Sequence, residues 1–164
     1  MKTLLLIRHA KSGWDDPSLS DIERKLTDRG KSDAKIMAKR LQERSIKIDA
    51  CVSSTAKRAK KTAKIFMEEF EKDKKKLELR PSLYEASVKD FYDVVESLDD
   101  KDKSVALFSH NPGITDFVNS FDTTPIDDMP TCSIYAIKAK TKRWKDFLES
   151  KKEFLFFDYP KNQE

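Results

Sequence analysis

Two continuous apolar runs, TLLLIRH at residues 3–9 and SVALFSH at residues 104–110, constrain this chain more than any other feature. A strand with one face in water alternates apolar and polar residues, whereas these runs are apolar on both faces. Each must therefore be covered on two sides, which calls for a sheet sandwiched between helices. Both runs end on unusual residues: Arg8-His9 in the first and Ser109-His110 in the second. A strand that stopped at the surface would need a turn residue there, not a pair of large basic groups.

The segments between the runs carry the covering helices. From Thr27, Ala34, Met37, Ala38 and Leu41 recur at helical spacing. DACVSST at residues 49–55 is a second short buried strand. A helix over about residues 56–72 follows, with Ala56, Ala59, Ala63, Phe66 and Phe70 on one face and Lys and Glu on the other. EKDKKK is its solvated end, and LELRPSLY is a short extended piece that Pro81 assigns to a sheet edge. Val88, Phe91, Val95 and Leu98 define a third helix. Pro112 stands at the start of a fourth, continued by Ile114, Phe117, Val118 and Phe121. From about residue 131 the tail alternates through Cys132, Ile134 and Ala136 and later reads EFLFF, which predicts antiparallel strands joined by a charged turn near KTKRW. Residues 10–26 read as loop, and Trp14 and Trp144 are expected to pack. The alternation of strands and helices predicts an α/β, three-layer αβα sandwich with a mainly parallel sheet and antiparallel C-terminal strands, spanning residues 1–164 as one domain.

Composition narrows the function classes. Lys and Arg number 33 and Asp and Glu 29, a net charge of only +4, and the signs interleave as in KIMAKRLQER. That pattern suits solvated helix faces and argues against a nucleic-acid partner, which calls for one concentrated basic stripe. The two cysteines, Cys51 and Cys132, form no CxxC pair and sit in apolar contexts, as core thiols of a reducing cytoplasm do. No run is long enough to span a bilayer, so no membrane partner is expected. With only three glycines, each is expected to answer a backbone requirement.

In parallel sheets, ligands bind beyond the carboxyl ends of the strands. Arg8-His9, Ser53-Ser54 and Ser109-His110 all fall there, and they include both histidines of the chain. Neutral imidazole attacks phosphorus well, and the phosphoimidazole formed is labile to water. Such chemistry wants one nucleophilic His, fixed cations for the phosphoryl oxygens and an acid for the leaving group. A metal site built on His9 and His110 would need further His, Cys or clustered carboxylate ligands, and the neighbouring arginines would repel the ion, so neither metal nor cofactor is expected.

The motifs IRHAKS, SSTAKRAKKTA, SHNPGI and DIERKLTDRG together resemble the histidine phosphatase superfamily, the phosphoglycerate-mutase-like fold, and the last resembles its small SixA-type branch. Lys25 stands where that stretch usually has Pro, and Thr55 where the second motif often has Pro. The resemblance implies that His9 becomes phosphorylated and that Arg8, Arg58 and His110 bind the phosphoryl oxygens. It adds Arg24 as a further phosphate contact, against a plain surface role. It places Glu85, in LYEAS, at the position of an acidic proton donor, against a surface-loop acid. The implied function is phosphatase action through a phosphohistidine intermediate, with release of inorganic phosphate. A phosphohistidine protein, such as a phosphotransfer domain, is the first substrate class. A small phosphorylated metabolite, and a phospho-ligand binding module without turnover, are the alternatives. The surrounding arginines are expected to lower the His9 pKa and keep the ring neutral.

Overall fold

The computed structural model describes residues 1–162 and shows the α/β sandwich that the apolar runs require. The elements run in chain order β1 (Lys2–Arg8), α1 (Asp28–Glu43), β2 (Ala50–Ser53), α2 (Lys57–Glu69), β3 (Glu78–Leu79), α3 (Val88–Glu96), β4 (Ser104–Ser109), α4 (Gly113–Asn119), β5 (Ile134–Ala139) and β6 (Lys152–Asp158). They form one six-stranded sheet of order β3-β2-β4-β1-β5-β6. β1 pairs parallel with β4, β4 with β2 and β2 with β3, while β5 and β6 add on antiparallel beside β1. The short β3 lies at the edge, as Pro81 just beyond it implied.

The period-2 geometry of strands divides the core in two. Leu5, Ile7, Ala106 and Phe108 face α1 and α2 and pack with Met37, Leu41 and Phe66. Leu4, Leu6, Val105 and Leu107 face the other way, onto Phe91 of α3, Phe117 of α4 and the fully buried Trp144 and Phe147. This double burial is why the strands read as unbroken apolar runs. Trp144 packs as expected: a short 3-10 turn over Trp144–Asp146, beside the charged turn of KTKRW, presses its ring into the core. Trp14 does not pack in the core. It is 74% exposed, and its ring lies under the Arg24 guanidinium at 3.5 Å. Cation–π contact, not burial, holds it.

The chain leaves β1 toward the α1/α2 layer and leaves β4 toward the α3/α4 layer. Adjacent strands whose connections part to opposite faces open a crevice at their carboxyl ends. Arg8 and Ser109 are register partners at that point, so His9 and His110 come next on either side of it.

The glycines answer a requirement of space, since none has positive φ. A Cβ on Gly30, in the first turn of α1, would lie 2.2 Å from the Lys11 carbonyl oxygen. One on Gly113, at the start of α4, would lie 2.2 Å from the Ala86 carbonyl oxygen. The helices thereby press against the two loops that flank the crevice, the one after His9 and the one carrying Glu85. Left-handed backbone falls instead on Ser45, Glu71, Asp122 and, beside the crevice, Glu85 (φ 54°) and Cys132 (φ 60°), at a cost of about 1–2 kcal/mol for a residue with a Cβ. Cys132 uses that conformation to donate its N–H to both Arg8 O, 3.1 Å, and His9 O, 3.0 Å. Both cysteines are free and buried, and burial pushes the Cys51 thiol up to about 12 and the Cys132 thiol up as well.

Candidate active site

A cavity of about 610 Å³ opens at the crevice and is lined by Arg8, His9, Arg24, Arg58, Glu85 and His110, among others. All six residues singled out from the sequence thus meet in one place. His9 is held rigidly from below. Its N–H donates to Ser109 O at 3.1 Å, and the next peptide N–H, of Ala10, donates to Thr62 Oγ1 at 3.0 Å on α2. Thr62 in turn donates to the Arg58 carbonyl at 2.8 Å, so one helix positions both the His9 loop and Arg58.

The ring of His9 is oriented by a contact with a single reading. Nδ1 lies 2.7 Å from the Ala10 carbonyl oxygen. A carbonyl can only accept, so Nδ1 carries the proton and Nε2 keeps its lone pair. The His110 ring stands 5.1 Å away, tilted by 54°, and its Nε2 meets Ser54 Oγ at 2.8 Å. Burial holds the His9 pKa down to about 3, with His110, Arg58 and Arg8 adding smaller repulsions and the Ala10 hydrogen bond opposing them. The arginines lower the His9 pKa as expected, but burial acts first, because His9 is only 6% exposed. His110 is held down to about 4 by burial, then by Arg58.

Asp21 organises the cations, and sequence reasoning gave it no role although it opens the DIERKLTDRG stretch. It lies on a 3-10 turn over Asp21–Glu23. Its carboxylate accepts from Arg58 Nη2 at 3.0 Å, Arg24 Nε at 3.1 Å and the Tyr84 hydroxyl at 2.5 Å. The Tyr84 hydrogen bond, followed by Arg58, pulls its pKa down to about 2. The same bond raises the Tyr84 phenol. Tyr84 also sets its ring edge-on to His110 at 5.6 Å. Arg24 reaches Ser12 Oγ at 2.9 Å as well, which ties the loop after His9 to this network. Arg8 is anchored through Nη1 to Met129 O at 2.8 Å, and burial lowers its pKa against the opposing charge of Asp128. Glu85 sits exposed at the rim.

Three buried nitrogens of this cavity's lining have no hydrogen-bond partner within the protein: Arg8 Nε, Arg58 Nε and His110 Nδ1. The two guanidinium nitrogens are obligatory donors, and a buried donor left unpaired costs about 1–3 kcal/mol. A tetrahedral oxyanion offers acceptors to such a set. Among the described residues, no group of three or more His, Cys, Asp or Glu side chains is placed to hold a metal ion. No helix among them is long and apolar enough to cross a membrane.

The low histidine pKa values and the low Asp21 pKa have a common consequence for stability. In the unfolded chain the histidines take up protons near pH 6.5, but in the fold they resist until about 3 to 4. The unfolded state thus binds more protons as the pH falls, and stability is lost from about pH 6.5 downward. Asp21 adds to the loss only below its unfolded value near 4, down to about 2. The melting temperature is expected to drop between pH 7 and pH 4.5, and His9→Asn should flatten that slope. A melting temperature independent of pH over this interval would contradict buried, neutral histidines.

A crevice at a sheet's switch point that holds paired histidines among arginines has the shape and charge to take a tetrahedral oxyanion. The family model described as histidine phosphatase superfamily (branch 1) matches residues 4–99, and the chain belongs to that family. The structure of the protein histidine phosphatase SixA complexed with tungstate superimposes with a TM-score of 0.82 at 20% identity, over 98% of both chains. In sequence, a 2,3-bisphosphoglycerate-dependent phosphoglycerate mutase from Bartonella henselae is 34% identical over 98 residues, 54% of this chain and 44% of the mutase. The mitochondrial serine/threonine-protein phosphatase Pgam5 of Drosophila mojavensis is 40% identical over 74 residues, 45% of this chain and 25% of that protein. The matches therefore span less than half the length of these curated relatives.

Proposed function

We propose that this chain is a phosphatase that works through a phosphohistidine on His9, and that its substrate is a protein carrying phosphohistidine. The observation that carries the reading is the pair of unpartnered donors Arg8 Nε and Arg58 Nε, with the unpartnered His110 Nδ1 beside them, in the same cavity as an imidazole whose Nε2 lone pair is free. In the first step Nε2 of His9 attacks phosphorus, and the bond to the leaving group breaks with its electron pair. Arg8, Arg58 and His110 stabilise the charge on the equatorial oxygens, with Arg24 as a further contact. The ring becomes cationic as it takes the phosphoryl group, and the Nδ1–H bond to Ala10 O stabilises that charge. In the second step water attacks phosphorus, the P–N bond breaks, and neutral His9 and inorganic phosphate are released. Glu85 donates the proton that an alkoxide leaving group needs. An imidazole leaving group departs with a proton on its far nitrogen and asks less of Glu85.

The protein substrate is favoured by the form of the site. The rim residues Trp14, Asp21 and Glu85 are exposed, so a folded partner can present a side chain to His9. Two free, buried thiols fit a reducing, cytoplasmic setting.

Turnover of an aryl phosphate and of a phosphohistidine peptide, with competitive inhibition by vanadate, is the expected result. Vanadate mimics the five-coordinate transition state and should bind more tightly than phosphate. Oxyanion binding without turnover would instead make the chain a phospho-ligand binding module. A marked preference for small phosphorylated metabolites over phosphohistidine peptides would overturn the substrate class.

A further inference from the structure

The 3.6-residue period of α2 that buries Ala59, Ala63 and Phe66 also places Lys57, Lys60, Lys61 and Lys64 at positions i, i+3, i+4 and i+7 of one stripe, with Lys60 half-buried and the other three exposed. Lys31 of α1 and Lys25 of the loop before it face the same stripe across a groove of about 310 Å³ floored by Leu26. Along the sequence these charges read as interleaved, and the fold gathers them. Among the described residues, none of the six lysines enters an ion pair. Glu23 and Asp16, whose fields reach Lys57 and Lys25, are bonded instead to Ser20 and Ser18.

This arrangement opposes helix stability twice. Like charges at i,i+3 and i,i+4 repel. The first turn of α2 holds no acidic residue and does hold Lys57, where the helix dipole disfavours a cation. The groove neighbours the catalytic cavity along the chain, since Lys25 follows Arg24 and Lys57 precedes Arg58, although the two share no lining residue. From this six-lysine groove beside the cavity, we infer that the α1–α2 face is the docking surface for an acidic protein segment flanking the phosphorylated residue of the substrate. The inference rests on the phosphatase reading for the position of that residue. Nucleic acid fits the groove less well, since it offers no aromatic ring for a base to stack on and no arginine fork to read one. Ammonium groups bind carboxylates as point charges, which suits an Asp/Glu-rich segment.

Binding is to be read by fluorescence anisotropy on the His9→Ala protein, so that no turnover intervenes. The probes are two labelled phosphohistidine peptides, one flanked by Asp and Glu and one by Asn and Gln. The acidic peptide is expected to bind about tenfold more tightly at low salt. That advantage should shrink toward nothing at about 0.5 M salt, where the Debye length is only a few ångströms. Changing Lys60, Lys61 and Lys64 together to Glu should abolish the advantage and leave the neutral peptide's affinity unchanged. The corresponding Gln variant removes charge without adding any, and should do the same if the Glu variant fails to fold. With His9 restored, both variants should turn over an aryl phosphate at the wild-type rate. Equal affinity for the two peptides, or an advantage that survives both variants, overturns the inference. Tighter binding of a thymidine oligonucleotide than of the acidic peptide overturns it in favour of nucleic acid. Failure of the phosphatase reading shows separately, as no aryl phosphate turnover by the wild-type protein.

Discussion

His9→Ala is expected to lower aryl phosphate turnover by at least about 10³-fold, because it removes a nucleophile that the site presents with a free lone pair and a fixed orientation. The fold should survive. The peptide hydrogen bonds that hold position 9, from Cys132 N–H and to Ser109 O, use only backbone atoms. The lost side chain contributes one hydrogen bond, to Ala10 O, and a contact with the His110 ring. The space it leaves adjoins the cavity and can fill with water, so the packing penalty of a sealed core void does not apply. A circular dichroism spectrum and thermal transition close to wild type, together with lost turnover, are the expected pair of readings. Activity within about tenfold of wild type would mean that His9 does not carry the phosphoryl group.

Glu85→Gln is expected to act selectively, and its size should follow the leaving group. Loss of one general acid costs about 10²–10⁴-fold when the departing group is strongly basic. An alkyl phosphate should therefore suffer the full loss and an aryl phosphate far less, because a phenolate leaves without help. A phosphohistidine peptide should show a small or intermediate loss. The structure keeps Glu85 at the rim of the cavity in left-handed backbone, between Tyr84, which bonds Asp21, and Ala86, whose carbonyl lies against Gly113. Ser45, Glu71 and Asp122 share that backbone conformation on the surface, so what favours a placed side chain at Glu85 is that it is pinned on both sides. Equal losses on all three substrates would make Glu85 a residue that shapes the cavity. No loss on any would return it to the surface role.

The sandwich was legible because β1 and β4 carry their double burial as unbroken apolar runs, and because α1 and α2 carry theirs as small residues at helical spacing. The positions of Arg8, His9, Arg58 and His110 were legible for a related reason: the first, second and last close or follow a strand whose end the sequence marks, and Arg58 opens the helix after one. What the sequence hid lies in contacts between distant loops. Asp21 meets Arg58 and Tyr84, which stand 37 and 63 positions further along the chain, and neither its 3-10 turn nor the Tyr84 loop has a periodic signature. Trp14 looked like core because large aromatic rings usually are, and only the position of Arg24 shows why it stays outside. The largest cause of the low His9 pKa, burial, is hidden for the same reason. Neighbouring arginines are visible in a motif, whereas the depth at which a ring is buried is a property of the assembled sheet and its loops.

The orientation of His9 ties the whole account to one atom. With Nδ1–H given to the Ala10 carbonyl, only Nε2 can take the phosphoryl group. The direct measurement is to quench the enzyme in base during turnover, then locate the phosphate by peptide mass spectrometry and assign the ring nitrogen by phosphorus NMR. The account predicts a base-stable, acid-labile phosphoenzyme with phosphorus on Nε2 of His9, absent from His9→Ala. Phosphate on Nδ1, on His110 or on no residue at all, while turnover proceeds, would contradict it.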